Sequence, residues 1–251
     1  MTVHSVNRAI SILQVLARRG PTAVTELATE LDIHKSTIFR LLSTLEARGL
    51  VDQNNDRGRY QLGYGVVQLA AGATRKLDLS VVSRRICEAL AEEVGETVDI
   101  AINDAHSVLS IDQVIGSAAM TTVTWVGRRT PLHATAGGKV FLAYMTPDER
   151  ADCLPATLER FTENTITSRD ELEKQLETVR GEGYGFTLEE YEVGLAAVGA
   201  PIRDLDGKVV AAVSVSGPNF RINPTTIPGL ASHVVAAAAE ISERNGQPKP
   251  G

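Results

Sequence analysis

The sequence predicts an α+β fold in two parts: a small helical head closed by a β-hairpin, and a larger body of antiparallel strands and helices. Three observations predict it. Apolar residues recur at three- and four-residue steps in three short segments before Gly49. Strand patterns with polar turns take over at Leu50 and return from Thr97. Charge also divides: residues 1–64 hold eight Lys/Arg against six Asp/Glu, a balance of +2, and the total of −6 leaves −8 for the remainder.

The 251 residues, 43% hydrophobic and 22% charged, suffice for two modest domains. No apolar run reaches the roughly 20 residues that span a bilayer, and Met1 to Gly20 lacks a signal-peptide layout, so the expected location is the cytoplasm, with no membrane contact. Cys87 and Cys153 have neither an adjacent Cys nor a metal-like spacing. They are expected to be reduced and packed, with no metal site.

In the head, Val6, Ala9, Ile10, Leu13 and Leu16 paint one stripe along a first helix, which Gly20-Pro21 ends. Val24, Leu27, Ala28 and Leu31 signal a second, and Asp32-Ile33 links it tightly to a third that starts near His34. Two helices so closely joined predict a helix-turn-helix. On the third, Ile38, Leu41, Leu42 and Leu45 face inward, while Lys35, Ser36, Thr37, Arg40 and Ser43 form a short, polar, cationic outer face. Hydroxyls, an ammonium and free backbone N–H groups at a helix start suit phosphate or base edges, and Arg40, one turn on, has the reach for guanine. A solvated helix face is the competing interpretation. Leu50 to Gln53 and Arg59 to Leu62 then read as two strands around a polar turn, a wing with Arg57 and Arg59 at or beside its tip.

Ser5-Val6-Asn7-Arg8-Ala9, Lys35-Ser36-Thr37-Ile38-Phe39-Arg40-Leu41-Leu42 and Tyr60-Gln61-Leu62-Gly63 resemble the DNA-binding domain of the IclR family of regulators. The resemblance implies that the helix near Lys35 is the recognition helix, with contacts from Ser36, Thr37 and Arg40 and a phosphate contact from Arg8.

After this head, residues 1–64, a linker helix is expected over 65–78 and a second domain over 79–246, with 247–251 a frayed tail. A helix from Leu79 to Val94 leads into strands Thr97 to Asn103 and Val108 to Val114. A helix from about Ala134 to Tyr144 carries Gly137-Gly138 near its start, where backbone N–H groups can approach an anion. It is no phosphate-binding P-loop, because Lys139 lacks the spacing. Ser168 and Glu171 form a capping box for the next helix. Ala196 to Arg203 and Lys208 to Ser216 flank Asp204-Leu205-Asp206-Gly207 as a hairpin, so Ser214 and Ser216 share one face. A last helix runs from Ile227 to Arg244 on Leu230, Val234, Val235 and Ile241.

Arg129 to Lys139, Glu192 to Leu195, Ala200 to Asp204 and Val213 to Pro218 again resemble IclR regulators, whose sensing half is similar to GAF domains. The likeness covers almost the whole chain. It implies an antiparallel-sheet, GAF-like effector-binding domain, with Ala136 and Gly137 as backbone donors and Ser214 and Ser216 as hydroxyl partners. Thr187 and Ala197 stand where the glyoxylate-responsive member has an Asp and a Cys, which implies an organic acid larger than glyoxylate or pyruvate. Ala119, Thr122 and Trp125 are expected on the wall. The implied partners are a double-stranded operator, a carboxylate effector and further copies of the chain, as a homodimer or dimer of dimers, with no cofactor and no catalytic residue. The rival is an enzyme using His133 with Glu189, Glu190 or Glu192, although no nucleophile elbow or cofactor fingerprint accompanies them. A ligand-free scaffold is the third possibility.

Overall fold

The computed structural model describes residues 3–54, 58–73, 78–119 and 124–245, in two units, Met1–Leu77 and Asp78–Gly251. The expected tail at 247–251, the wing tip with Arg57, and Thr122 lie outside the described residues.

The first unit runs α1 (His4–Arg19), β1 (Thr22–Ala23), α2 (Val24–Leu31), α3 (Lys35–Glu46), β2 (Val51–Asn54), β3 (Arg59–Leu62) and α4 (Gly65–Ala73). The reversal between α2 and α3 is made by Asp32, left-handed at φ 50°, with the Ile33 N–H bonded to the Ala28 carbonyl at 3.1 Å. The wing is a three-stranded antiparallel sheet in the order β1-β3-β2. Its third strand, β1, is two residues long and leaves no periodic signal. Ile12, Val15, Leu16, Leu27, Ile38, Leu42, Leu45, Val51 and Tyr60 make the core. The stripe expected on α1 is rotated: Val6 and Ile10 are 54% and 48% exposed, whereas Ile12 and Val15 are buried. Apolar residues on α1 cover a wider arc than one core can use, so periodicity alone picked the wrong edge.

The second unit runs α5 (Asp78–Val94), β4 (Thr97–Asp104), β5 (Ser107–Val114), β6 (Arg129–Pro131), α6 (Ala136–Tyr144), α7 (Pro147–Cys153), α8 (Arg169–Glu182), β7 (Gly185–Leu188), β8 (Leu195–Arg203), β9 (Val209–Pro218) and α9 (Ile227–Asn245). The strands form one antiparallel sheet in the order β6-β5-β4-β9-β8-β7. Strand alternation sends Val98, Ile100, Val198, Val213 and Val215 into the core with α5 and α9. Ala101 and Ala212, on the other face, pack under α6 and α8. α7 was not anticipated; Thr146 caps it, and the Glu149 carboxylate accepts the Thr146 N–H at 2.8 Å. The box expected at Ser168 is half formed, its hydroxyl accepting the Glu171 N–H at 3.4 Å.

Candidate DNA-reading helix and ligand cavity

On α3 the sequence sorts the faces by period. Ile38, Leu42 and Leu45 are buried, Lys35, Ser36, Arg40 and Ser43 are exposed, and Thr37 is half-buried. His34 caps the helix, its Nδ1 2.8 Å from the Ser36 hydroxyl. The first turn carries no acid, whereas α7 and α8 carry Asp148 and Glu149, and Asp170 and Glu171, respectively. With Lys35 opening it, the positive end of α3 is left uncompensated, which favours an external anion over helix stability. Phe39, which the outer-face reading passed over, is 57% exposed on this side.

The wing cation Arg59 is paired within the head. Its guanidinium donates to the Glu26 carboxylate at 2.9 Å and to the Pro21 carbonyl at 3.0 Å, so it fastens β3 to α2 instead of standing free. The Ala23 N–H, then Arg59, hold the Glu26 carboxyl below its usual range. Arg18 and Arg19 pair with Glu30. Arg8, Lys35 and Arg40 are exposed and make no ion pair among the described residues.

In the second unit a cavity of about 90 Å³ lies between the start of α6 and the sheet, large enough for a small organic molecule and not merely one water. Ala136, Gly137, Thr187, Ala197, Ser214, Ser216 and Trp125 are on its wall. Register explains the grouping. Thr187 pairs with Ala197 and Ala197 with Ser216, while Gly199 pairs with Ser214 and Ser214 with Asp99. All therefore face the same side. Gly199 permits the approach of α6: a Cβ there would stand 3.2 Å from the Gly137 nitrogen. Thr135 caps the helix by accepting the Gly138 N–H at 3.3 Å, and the Ala136 and Gly137 amides, as first-turn groups, have no intrahelical acceptor. The role expected of Gly138 differs. A Cβ on it would be 2.2 Å from the Leu132 carbonyl oxygen, so it serves packing and not ligand approach. Ala119 lines an adjoining hollow that shares Trp125 and Ser216 with the cavity.

Residues missed by sequence reasoning complete the wall. Asp99 accepts a hydrogen bond from the Ser110 hydroxyl, and burial pushes its carboxyl up to about 7. The Arg128 guanidinium lies 5.3 Å from the centroid of the Trp125 ring, and Trp125 meets Tyr191 at 6.1 Å. The signal for Asp99 was an acid at the cavity-facing position between the apolar Val98 and Ile100 to Ile102. Tyr191 and Glu192 sit on a loop held by its neighbours. Glu190 pairs with the fully buried Lys139 at 2.6 Å, and Thr165 donates to the Glu190 carbonyl at 2.6 Å. The Glu189 carboxylate accepts from the Gly194 N–H at 2.7 Å and from Asn219 at 2.8 Å. His133 is buried, with Nε2 2.9 Å from the Glu159 carbonyl oxygen, and burial lowers its pKa. His133, Glu189 and Glu190 are thus committed to separate structural contacts, and Glu192 lines the cavity.

Two family models cover the chain: "IclR helix-turn-helix domain" at residues 5–55 and "Bacterial transcriptional regulator IclR C-terminal" at residues 71–243. The chain belongs to the IclR family of transcriptional regulators. It is 32% identical over 241 residues to the HTH-type transcriptional regulator BhcR of Paracoccus denitrificans, covering 96% of this chain and 86% of that one. It is 32% identical over 244 residues to the transcriptional repressor IclR of Escherichia coli, covering 96% and 89%. The crystal structure of the Thermotoga maritima IclR superposes with a TM-score of 0.81 at 29% identity, covering 97% and 99%. An IclR protein is a regulator and not an enzyme, in keeping with the separated contacts of His133, Glu189 and Glu190.

Proposed function

We propose that the protein is a ligand-controlled DNA-binding regulator whose α3 enters the major groove of an operator and whose cavity takes a small organic acid. The observation that carries the ligand half is the wall itself. First-turn amides of Ala136 and Gly137, the Arg128 guanidinium and the hydroxyls of Thr187, Ser214 and Ser216 surround a largely apolar space. Amides at a helix start and a guanidinium favour a carboxylate. Thr187 and Ala197 are small and uncharged, which supports an acid larger than glyoxylate. The DNA half is supported by the uncompensated cationic start of α3 and by exposed Lys35, Ser36, Arg40 and Ser43, with Thr37 and Arg8 as further contacts. Among the described residues no helix is long and apolar enough to cross a membrane, and we place the protein in the cytoplasm with its operator.

One head makes too few contacts for tight, specific binding, so two copies, or a dimer of dimers, read paired half-sites. Effector binding shifts the equilibrium between head arrangements by its differential affinity for them. A thermal-shift screen of aliphatic and aromatic carboxylates, followed by calorimetry, tests the ligand half. A binding acid at 100 times its Kd stabilises the folded protein by about 2.7 kcal/mol. A screen in which no carboxylate binds, or only glyoxylate does, would reject that half.

A further inference from the structure

Phe39 is 57% exposed in the middle of α3. Positions 36, 39, 40 and 43 fall on one helical face, and the opposite side, with Ile38, Leu42 and Leu45, is taken up by the core. The ring therefore stands among Ser36, Arg40 and Ser43, all exposed. It belongs to no ring pair or core cluster among the described residues, so it contributes little to folding. An apolar protein groove is a poor match for this patch, because Lys35 and Arg40 border the ring and the helix start carries no acid. A DNA major groove matches both properties: phosphates meet the cations, and the thymine C5-methyl is the apolar group that base edges offer there.

We infer that Phe39 reads sequence by packing its ring on a thymine methyl in each operator half-site. The inference rests on the DNA-binding reading and deepens it by naming a base.

The test starts with full-length protein selecting duplexes from a random-sequence pool. In the enriched duplex each thymine is replaced, one at a time, by deoxyuridine, which removes only the methyl group, and binding is followed by fluorescence anisotropy. For the wild type, one replacement per half-site weakens binding about fourfold, the value of one buried carbon at ~0.8 kcal/mol. Phe39→Ala binds the thymine and uracil duplexes equally at that position and keeps the wild-type salt dependence. Phe39→Leu retains part of the discrimination. Because the ring is exposed, circular dichroism melting of both variants matches the wild type. The inference is overturned if no thymine in the wild-type complex is sensitive, or if the sensitivity survives in Phe39→Ala. It is equally overturned if Phe39→Ala changes the oligomeric state with thymine discrimination intact, since the ring is then a contact between copies. A pool that yields no enriched duplex, either alone or with a carboxylate that raises the thermal midpoint, defeats the DNA-binding reading itself, and this inference with it.

Discussion

Four side chains carry consequences out of proportion to their size. Arg40 is exposed one turn into α3, and as a guanine reader its replacement by Ala costs about 1–3 kcal/mol and relaxes preference at a single base position. Anisotropy against singly substituted operators separates that outcome from a uniform loss with a shallower salt slope, which marks a phosphate contact. Lys139 and Glu190 form a buried pair in which burial pulls the lysine down and pushes the carboxyl up. Lys139→Met leaves a buried charge unpaired and is expected to lose about 3–5 kcal/mol in urea unfolding, most of it restored by adding Glu190→Leu. Asp99, pushed up to about 7 chiefly by burial, holds its proton more tightly folded than unfolded, where an aspartate titrates at about 4. Between those values the folded state binds more protons, so stability falls as pH rises through the window and levels off above it. Asp99→Asn removes that loss: relative to the wild type it gains on the order of 1–4 kcal/mol at about pH 8 and little at about pH 4.

At the scale of elements, the start of α6 sets the cavity, and its position depends on the missing side chain of Gly199. Gly199→Ala puts a Cβ 3.2 Å from the Gly137 nitrogen. It is expected to push the helix start away, costing about 1–3 kcal/mol of stability and weakening ligand binding while circular dichroism stays native; unchanged calorimetric affinity would show that the α6 amides are not ligand contacts. The two faces of α3 and the shared side of Ser214 and Ser216 were legible because period alone assigns them. Other features were not. The strand position of Asp99 is visible in sequence, but its Ser110 partner comes from the next strand, across a register shift at Ile100 and Ala101. Glu190 looks like a solvated acid beside a turn until the fold brings Lys139 to it from 51 residues away. Arg59 reads as a wing cation because nothing local announces Glu26, 33 residues earlier. Pairings of this kind are set by tertiary approach, which local periodicity does not encode.

For the whole molecule, the acidic body and the mildly basic head share one chain with separate tasks, and the net charge of −6 says little about either. Footprinting is expected to show two protected half-sites about 10 base pairs or a multiple apart, because two heads are needed for tight recognition; a single isolated half-site would contradict the paired arrangement. The most direct measurement is anisotropy titration of the full-length protein with its selected duplex at low ionic strength, with and without a carboxylate that raises its thermal midpoint. The predicted result is specific binding whose Kd changes when the carboxylate is present. Failure to retain any duplex under either condition would contradict the proposed coupling of ligand to DNA at its root.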